Sequence, residues 1–441
     1  MVPETINLKD WLISTFNNFE NRLNGNADQP FHRLRREAIS HFARLGFPNT
    51  RMEDWKYTNL QPLLDQRYQL FDDDHELKPA AVEKLFIGKK NDNRLVFVNG
   101  KFSEKFSNLH LIHPGITLSN LEKALQDHPR IVNEYIAKYS DHRQEAFTAL
   151  NTAFAREGIF LYVPQDVVVE EPIYILHIFD PQDEPYQAHP RHLLVVEKNS
   201  QVKIVESHHS LSDGPVFNNS VTEVILKEGS RLDLLKIQDD NFHSIRIHRT
   251  QIYQERQSIL NSFSIDLGGA IVRNNLTVSL NGENCESNLF GFYLASGNQL
   301  IDNHTSIEHL KPNCNSNELY KGILSGKSRG VFSGTIYVAR DAQKTNAFQS
   351  NKNLLLSPEA DINSKPQLKI FADDVKCTHG ATVGQLDEEA IFYMQQRGIP
   401  PEQAQNLLRL AFAGEVIDKT SLENVRVFLQ DRIEKRLEKE F

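Results

Sequence analysis

The chain has 441 residues, of which 39% are hydrophobic and 24% are charged, and its net charge is −9. This composition is typical of a folded protein with two or three domains, or of one elongated domain with flanking pieces, and it excludes a largely disordered chain. The negative charge and the lack of a long basic run disfavour nucleic acid or an anionic membrane as a partner. No apolar stretch in the sequence is long enough to span a bilayer.

The N-terminal ten residues show neither a signal-peptide pattern nor a transit-peptide composition. The three cysteines, Cys285, Cys314 and Cys377, are too few and too scattered for a disulfide framework. A reducing compartment is therefore predicted, and we expect a cytoplasmic protein.

Apolar residues at helical spacing predict that residues 1–155 form a mainly helical N-terminal domain. Within it, residues 94–104 predict a strand that ends in a turn at Asn99-Gly100. The motif Arg51-Met-Glu-Asp-Trp55-Lys-Tyr57-Thr places two aromatic side chains among charges. It favours an aromatic anchor that fixes a loop on the core over a ligand site.

Residues 156–384 are predicted to form a second domain that consists almost entirely of short strands, for example residues 167–170, 173–178, 192–197, 232–237 and 245–253. No amphipathic helix of 10–15 residues lies between them, which disfavours βαβ folds. So many strands favour a parallel β-helix or a stacked β-solenoid, in which each rung buries its apolar face on its neighbours. No repeat of fixed length is visible, so the residues alone establish only a large all-β domain.

Residues 385–441 are predicted to form a C-terminal helical domain of three helices. Asp387 is expected to cap the first helix and Gly398 to end it, while Pro400-Pro401 opens the second and Thr420-Ser-Leu-Glu423 is a capping box before the third. Such a short tail has a thin core of its own. Its apolar faces are therefore predicted to dock either on the β-domain or on a partner protein.

Several possible sites are better explained by packing or turns. The segment Gly322-Ile-Leu-Ser-Gly326-Lys327-Ser328 is one residue short of a phosphate-binding loop and lies among strands, so it predicts a turn, and the chain is not expected to hydrolyse ATP itself. His304, His309 and Cys314 are spaced five and five, which fits no common zinc pattern. Cys285 is interpreted as a rung residue, and the adjacent pair His208-His209, beside a Ser/Asp/Gly turn, is predicted to be exposed to solvent.

The most informative stretch is residues 365–384, which read Lys-Pro-Gln-Leu-Lys-Ile-Phe-Ala-Asp-Asp-Val-Lys-Cys377-Thr-His379-Gly-Ala-Thr-Val-Gly. The alternation from Leu368 predicts a strand, and if the strand continues to His379, then Asp373, Val375, Cys377 and His379 share one face. A thiol beside an imidazole suits iron or copper better than magnesium. Two ligands do not complete a four-coordinate site, so the others would come from elsewhere, as at a subunit interface. A nucleophile pair would also need a third orienting group and an oxyanion hole, to which no residues point.

This stretch resembles the C-terminal signature of the SufB/SufD family of iron–sulfur cluster assembly scaffold proteins. Thr378 and Gly380 are closer to the SufD branch than to the SufB branch, which reads closer to Cys-Glu-His-Glu-Ala-Thr. The Trp55-Lys-Tyr57 element, residues 302–321, the Phe332-Ser-Gly-Thr element and the helical tail extend the resemblance over nearly the whole chain. It implies a mainly β fold, with a right-handed parallel β-helix core between N-terminal and C-terminal α-helical domains.

The resemblance also implies a non-catalytic scaffold subunit of a complex with a SufB-type subunit and a SufC-type ABC ATPase. The β-helix would pair with the SufB-type subunit, and a transient iron–sulfur cluster would form at that interface. The C-terminal helical domain would dock the ATPase, whose hydrolysis of ATP would shift the interface. On this carry-over, His379 is expected to be an iron ligand and Cys377 an assisting thiolate or a sulfur relay. A homodimer is expected to be possible when the chain is isolated.

Three other functions stay open at this point. A SufB-like cluster scaffold would have more cysteines than these three. A carbohydrate-active β-helix enzyme would need a cluster of carboxylates on one rung face, and Asp373-Asp374 is the only adjacent aspartate pair near the signature. A plain homodimeric interaction protein would show no dependence on iron or sulfide at Cys377 or His379.

Overall fold

The computed structural model describes residues 7–21, 29–70, 77–109, 113, 115–182 and 184–440. The first six residues, where the sequence shows no targeting pattern, lie outside this description. No helix among the described residues is long and apolar enough to cross a membrane.

The N-terminal segment combines helices with short strands. Its helices are α1 (Leu8–Asn21), α2 (Pro30–Leu45), α3 (Gln61–Leu64), α4 (Pro79–Leu85), α5 (Leu121–Asp127), α6 (Pro129–Tyr135) and α7 (Ala146–Phe154), with a 3-10 turn at Glu53–Trp55. Its strands are β1 (Gln69–Leu70), β2 (Arg94–Val98), β3 (Lys101–Phe102) and β4 (Thr117–Asn120). The predicted turn is confirmed, because Asn99 and Gly100 both have positive φ and join β2 to β3 as a two-residue hairpin.

Strands β5 to β21 follow along the chain. They are β5 (Ile159–Val163), β6 (Ile173–Phe179), β7 (Tyr186–Ala188), β8 (Arg191–Val196), β9 (Gln201–Ser210), β10 (Val216–Leu226), β11 (Arg231–Asp239), β12 (Ile245–Gln254), β13 (Ile259–Asp266), β14 (Ile271–Leu280), β15 (Glu286–Ala295), β16 (Leu300–His309), β17 (Asn315–Leu324), β18 (Arg329–Val338), β19 (Thr345–Leu355), β20 (Asp361–Ile370) and β21 (Val375–Gly384). Of the strands predicted in this region, residues 167–170 form only an isolated bridge between Val168 and Gln201.

These strands form a parallel β-solenoid of two facing sheets, so the predicted fold class is confirmed. The first sheet has the order β20-β18-β16-β14-β12-β10-β8-β5-β4, and the second has the order β21-β19-β17-β15-β13-β11-β9-β6-β2-β3. From β8 to β21 successive strands alternate between the two sheets, so each turn of the chain adds one strand to each. The domain boundaries predicted at residues 155 and 384 stay predictions. Strands β2 and β4 of the N-terminal segment already belong to the two sheets, so the sheets themselves do not begin at residue 156.

The rungs differ in length, which explains why the sequence shows no fixed repeat. Paired positions on neighbouring rungs lie 27 residues apart at Ile259 and Glu286 but 31 apart at Asn315 and Asn346. The strands keep their registers, while the turns absorb the difference. The sequence therefore contains no repeat of constant length.

The aromatic element near the N-terminus is an anchor, as predicted. Trp55 is buried against Phe147, and the guanidinium carbon of Arg273 on β14 lies 3.9 Å from its ring centre. The Thr58 hydroxyl donates a hydrogen bond to the buried carboxylate of Asp302 on β16. These contacts fix the N-terminal helices on the outer face of the first sheet.

The C-terminal tail forms α8 (Glu388–Gln396), α9 (Pro401–Ile417) and α10 (Glu423–Glu440). The Asp387 carboxylate caps α8 by accepting hydrogen bonds from the backbone N–H groups of Glu389 and Ala390, as predicted. Helices α9 and α10 bury their apolar side chains on the second sheet, in one cluster that includes Val416, Leu429, Ile433, Phe263 and Phe292. The β-domain therefore covers most of the tail, but no residue of α8 is buried.

One sequence prediction about the last rung is wrong. The alternation in residues 365–384 predicted a continuous strand, but the chain turns at residues 371–374 and passes from β20 in the first sheet to β21 in the second. The turn is held by backbone and side-chain hydrogen bonds: the Lys344 N–H donates to the Asp374 carbonyl, and the Asp374 N–H donates to the Gln343 side chain. Asp373 consequently lies outside the strand that carries Cys377 and His379.

Candidate functional site

Cys377 and His379 lie two residues apart on β21 and share one face of it, as the alternation predicted. In the register with β19, Cys377 pairs with Ala347 and His379 pairs with Gln349. Both β19 residues are buried between the two sheets. The thiol and the imidazole therefore stand on the inner face of the last rung, each above a column of inward-facing residues.

Cys377 is half-buried and packs against a small apolar cluster that contains Ile336, Val338, Ala347 and Ala372. Burial raises the pKa of the Cys377 thiol above its usual value. The thiol is consequently protonated at neutral pH in the isolated chain. A metal ion or a cation from a partner would be needed to make it a thiolate.

His379 is exposed, and beneath it the column continues into the interior as Gln349 and Glu318. The Gln349 amide donates a hydrogen bond of 2.6 Å to Glu318, while its own carbonyl oxygen is buried without a partner. Burial raises the pKa of Glu318 to about 7. Gly334 on the facing strand makes room for this amide, because a Cβ there would lie 2.2 Å from the Gln349 nitrogen.

The last rung is an open end of the solenoid. Strand β21 pairs with β19, and β20 pairs with β18, and within the described part of the chain neither has a strand on its other side. Large apolar side chains are exposed on this rung and next to it, at Phe348, Ile370, Phe371 and Val383. A Cβ placed on Gly380 would meet no atom within 4 Å. This end therefore has the unpaired backbone edges and apolar surface that a second sheet needs for pairing.

The other sites considered from the sequence do not form ligand sites. Residues Ser325 to Ser328 make a turn between β17 and β18, with Gly326 at positive φ, and a strand follows the turn where a phosphate-binding loop needs a helix. His309 is buried and bonded to Ser316, whereas His304 contacts Asp302. Cys285 and Cys314 are both buried in the solenoid core.

The prediction that His208-His209 is exposed is wrong, because both side chains are buried. The Glu206 carboxylate accepts a hydrogen bond of 2.8 Å from His208, and His177 and His192 lie 3.7 Å from the same oxygen. The rings of His177 and His208 stack with centres 4.3 Å apart. Glu206 and His208 share β9, but His177 and His192 come from β6 and β8, so spacing in the sequence gives no signal for the whole cluster. The parallel stacking of the two imidazoles indicates a packed interior column.

A second exposed apolar surface lies on the C-terminal helices. Phe392 and Tyr393 on α8 are 61% and 60% exposed, and Leu407 on α9 is exposed as well. Helix α9 buries a different face, which carries Ala404, Ala413 and Val416. We call Phe392 and Tyr393 the α8 surface.

Comparison with known proteins agrees with this geometry over almost the whole chain. The family model for the SUF system FeS cluster assembly SufBD core domain matches residues 179–412, and the model for the SufBD protein N-terminal region matches residues 6–175. An iron–sulfur cluster assembly SufBD family protein of Synechocystis is 32% identical over 92% of this chain and 90% of its own length. The iron–sulfur cluster assembly protein SufD of Escherichia coli is 31% identical over 90% of this chain and 91% of its own, and SufD of Bacillus subtilis is 26% identical over 92% and 93%. The chain therefore belongs to the SufBD family of iron–sulfur cluster assembly proteins.

Proposed function

We propose that the protein is a SufD-like scaffold subunit that presents Cys377 and His379 to a nascent iron–sulfur cluster at an interface with a SufB-type solenoid. The observation that supports this most directly is the position of the two residues. A soft ligand and a borderline ligand share the inner face of the last strand, at an end that lacks a pairing partner among the described residues. A partner solenoid docked there would complete both sheets and add the remaining ligands.

The two residues would have different roles. His379 is exposed and offers an imidazole nitrogen directly to iron, so it is proposed as the ligand from this subunit. Cys377 is half-buried with a raised pKa, so it would ionise only when iron or a cationic partner group comes close. It is therefore proposed as an assisting thiolate or a sulfur relay. The cluster is cargo that this scaffold holds, and ATP hydrolysis is assigned to the partner ATPase.

The test is anaerobic iron and sulfide reconstitution of the chain purified together with its SufB-type and SufC-type partners. We expect His379→Ala to lower the acid-labile sulfide retained on the complex, which reports the cluster, at least about tenfold, since loss of a ligand costs no less than loss of the group that orients it. Cys377→Ala is expected to reduce cluster formation while the complex still assembles. His243→Ala is the control, because His243 is an exposed histidine outside the last rung. Unchanged iron and sulfide content in both variants of the last rung would contradict the site and leave a structural role.

The two exposed apolar surfaces are proposed to bind different partners. The last rung exposes backbone edges, which suits pairing with another β-solenoid. The α8 surface exposes aromatic side chains on a helix that buries no residue of its own, which suits docking on the folded ATPase. Helices α9 and α10 are already held on the second sheet by buried apolar side chains and by ion pairs from Arg432 and Arg436 to Asp239.

A pair of matched substitutions separates the two interfaces. Phe371 and Phe392 are 60% and 61% exposed, so an aspartate at either position should leave the fold intact. We expect Phe371→Asp to weaken binding of the SufB-type subunit at least tenfold and to spare the ATPase, because a charge in the centre of a desolvated apolar interface is costly. Phe392→Asp should have the reverse effect. Val168→Asp, at a 55% exposed position near the other end of the solenoid, is the control that should spare both. Pull-down and sedimentation experiments measure the binding of each partner to each variant. Loss of both partners in one variant would argue against two separate surfaces.

A further inference from the structure

We propose that Glu37, His41 and His142 form a binding site for a divalent transition-metal ion on the N-terminal helices, separate from the last rung. The ligand atoms of these three side chains all lie within 4.8 Å of one another. The proposal stands independently of the function proposed above, because it concerns other elements of the chain.

Two of the ligands come from one face of α2. Glu37 and His41 are four residues apart, so their side chains are neighbours on the helix surface. The distance from Glu37 Oε1 to His41 Nε2 is 3.4 Å. The third ligand, His142, lies in the turn between α6 and α7, and its Nε2 is 3.7 Å from the same Glu37 oxygen. The two imidazole rings meet edge to face, with centres 5.7 Å apart.

These distances between ligand atoms are close to those in a site that contains a bound metal ion. A tetrahedral ion with ligands at about 2.0–2.1 Å holds its ligand atoms roughly 3.3 Å apart. The two distances to Glu37 therefore need to shorten by only a few tenths of an ångström. A small rotation of the His41 side chain would bring its nitrogen closer to that of His142.

His142 provides a second observation that points to a ligand. Its side chain is buried, with 6% of the residue exposed, yet neither ring nitrogen has a hydrogen-bond partner. Buried imidazole nitrogens are normally satisfied, because an unpaired buried polar group costs free energy. An ion at this position would satisfy the nitrogen that faces Glu37.

The surrounding structure is rigid and open to solvent on one side. Helix α2 is fixed by the buried Arg35 guanidinium, which donates two hydrogen bonds to the Ala155 carbonyl. Asp141 adds a negative charge beside His142. The exposed Arg44 contacts His41 Nδ1 at 2.6 Å. Because a metal on Nε2 leaves the ring proton on Nδ1, Arg44, which is also a donor, would have to move away when the metal binds. Glu37 is half exposed, so an ion can reach the site and keep a water in the open position.

The donor set selects the class of ion. Two imidazoles and one carboxylate suit Fe²⁺, Co²⁺ or Zn²⁺, whereas Mg²⁺ and Ca²⁺ prefer oxygen ligands. Three protein ligands with an open position also differ from a closed structural zinc site.

The test is titration of the metal-free full chain with Co²⁺, followed by its visible ligand-field absorption. All measurements use a Cys377→Ala/His379→Ala background, which removes the thiol and imidazole of the last rung. We expect one bound Co²⁺ in this background, and at least about tenfold weaker binding after Glu37→Gln, His41→Asn or His142→Asn. His243→Asn is the matched control and should leave the affinity unchanged.

A second measurement guards against unfolding of the His142 variant. Zn²⁺ should raise the melting temperature of the background protein but not that of Glu37→Gln, whose substituted side chain is half exposed and not needed for packing. Equal Co²⁺ affinity in Glu37→Gln and the background protein would overturn the proposal. So would a loss of affinity in His243→Asn as large as that in the triad variants.

Discussion

Replacing Glu223 with Gln is expected to lower the free energy of unfolding by about 3–5 kcal/mol. Glu223 lies on β10 and Arg191 on β8, both side chains are fully buried, and the Arg191 Nη2 to Glu223 Oε2 distance is 2.5 Å. The Glu223 carboxylate also accepts hydrogen bonds from the backbone N–H groups of Ala137, Tyr139 and Ser140. Every one of these partners is a donor. A glutamine amide would therefore place its NH₂ group against another donor and leave the Arg191 charge without its counterion.

The measurement is the midpoint of urea unfolding for Glu223→Gln beside Glu228→Gln. Glu228 forms an ion pair of 3.4 Å with Lys198 in which both side chains are well exposed. Exposed pairs contribute about 0–1 kcal/mol, so this control should shift the midpoint little. Equal shifts in the two variants would mean that the buried pair does not hold the loop at residues 137–140 to the first sheet.

Acidification from pH 8 to pH 5.5 is expected to lower the free energy of unfolding by several kcal/mol, as the balance of two groups of side chains with opposite effects. Burial lowers the pKa of eight histidines, which are His142, His177, His189, His192, His208, His209, His248 and His309. A histidine that stays neutral in the folded protein takes up a proton on unfolding below pH 6.5, which costs roughly 1 kcal/mol of stability at pH 5.5.

Three buried carboxyls act in the opposite direction. Burial raises the pKa of Glu157 and Glu318 to about 7 and that of Asp266 to about 6, so the folded protein binds their protons more tightly than the unfolded chain does. Their stabilising effect grows as the pH falls and amounts to about 5 kcal/mol at pH 5.5. The histidines outweigh it, so the net effect of acid is destabilising.

Two variants with opposite signs test this balance. His189→Gln should make the loss of stability between pH 8 and pH 5.5 smaller by roughly 1 kcal/mol, because desolvation alone lowers the pKa of His189. Glu318→Gln should make the loss larger by about 2 kcal/mol, because the amide imitates the protonated acid at both pH values. The test is to measure the melting temperatures of the original protein and of both variants between pH 8 and pH 5.5. Changes of the same sign in the two variants would contradict the assignment.

Local chemistry made parts of the fold predictable from the sequence. The Asn99-Gly100 turn and the Asp387 cap depend on one or two residues whose backbone or side-chain preferences are strong, and both occur as expected. The alternation around Cys377 correctly placed its thiol on the same face as the His379 imidazole. The resemblance to a known family provided the solenoid itself, since strand patterns alone indicated only a large all-β domain.

The errors occur where contacts between rungs override local pattern. The alternation of apolar and polar residues continues through Ala372, because this turn residue is itself buried. The pattern therefore could not show that the chain passes here from one sheet to the other. His208 and His209 look exposed beside a polar turn, but one faces Glu206 inside the solenoid and the other contacts Phe428 on α10. Phe428 is far from His209 along the chain, and although Glu206 is only two residues from His208, a local window cannot show that this face of β9 points into the solenoid. The same holds for His142, which meets Glu37 only through the packing of helices.

The two ends of the solenoid differ, and this asymmetry limits how the chain can associate with itself. At the first rung the edge strands β3 and β4 are antiparallel and only two and four residues long, whereas at the last rung the edge strands β20 and β21 are ten residues each. If two copies pair through their last rungs, the edges of β20 and β21 in both copies are covered in one two-fold contact. No head-to-tail contact is then available for a fibre to grow.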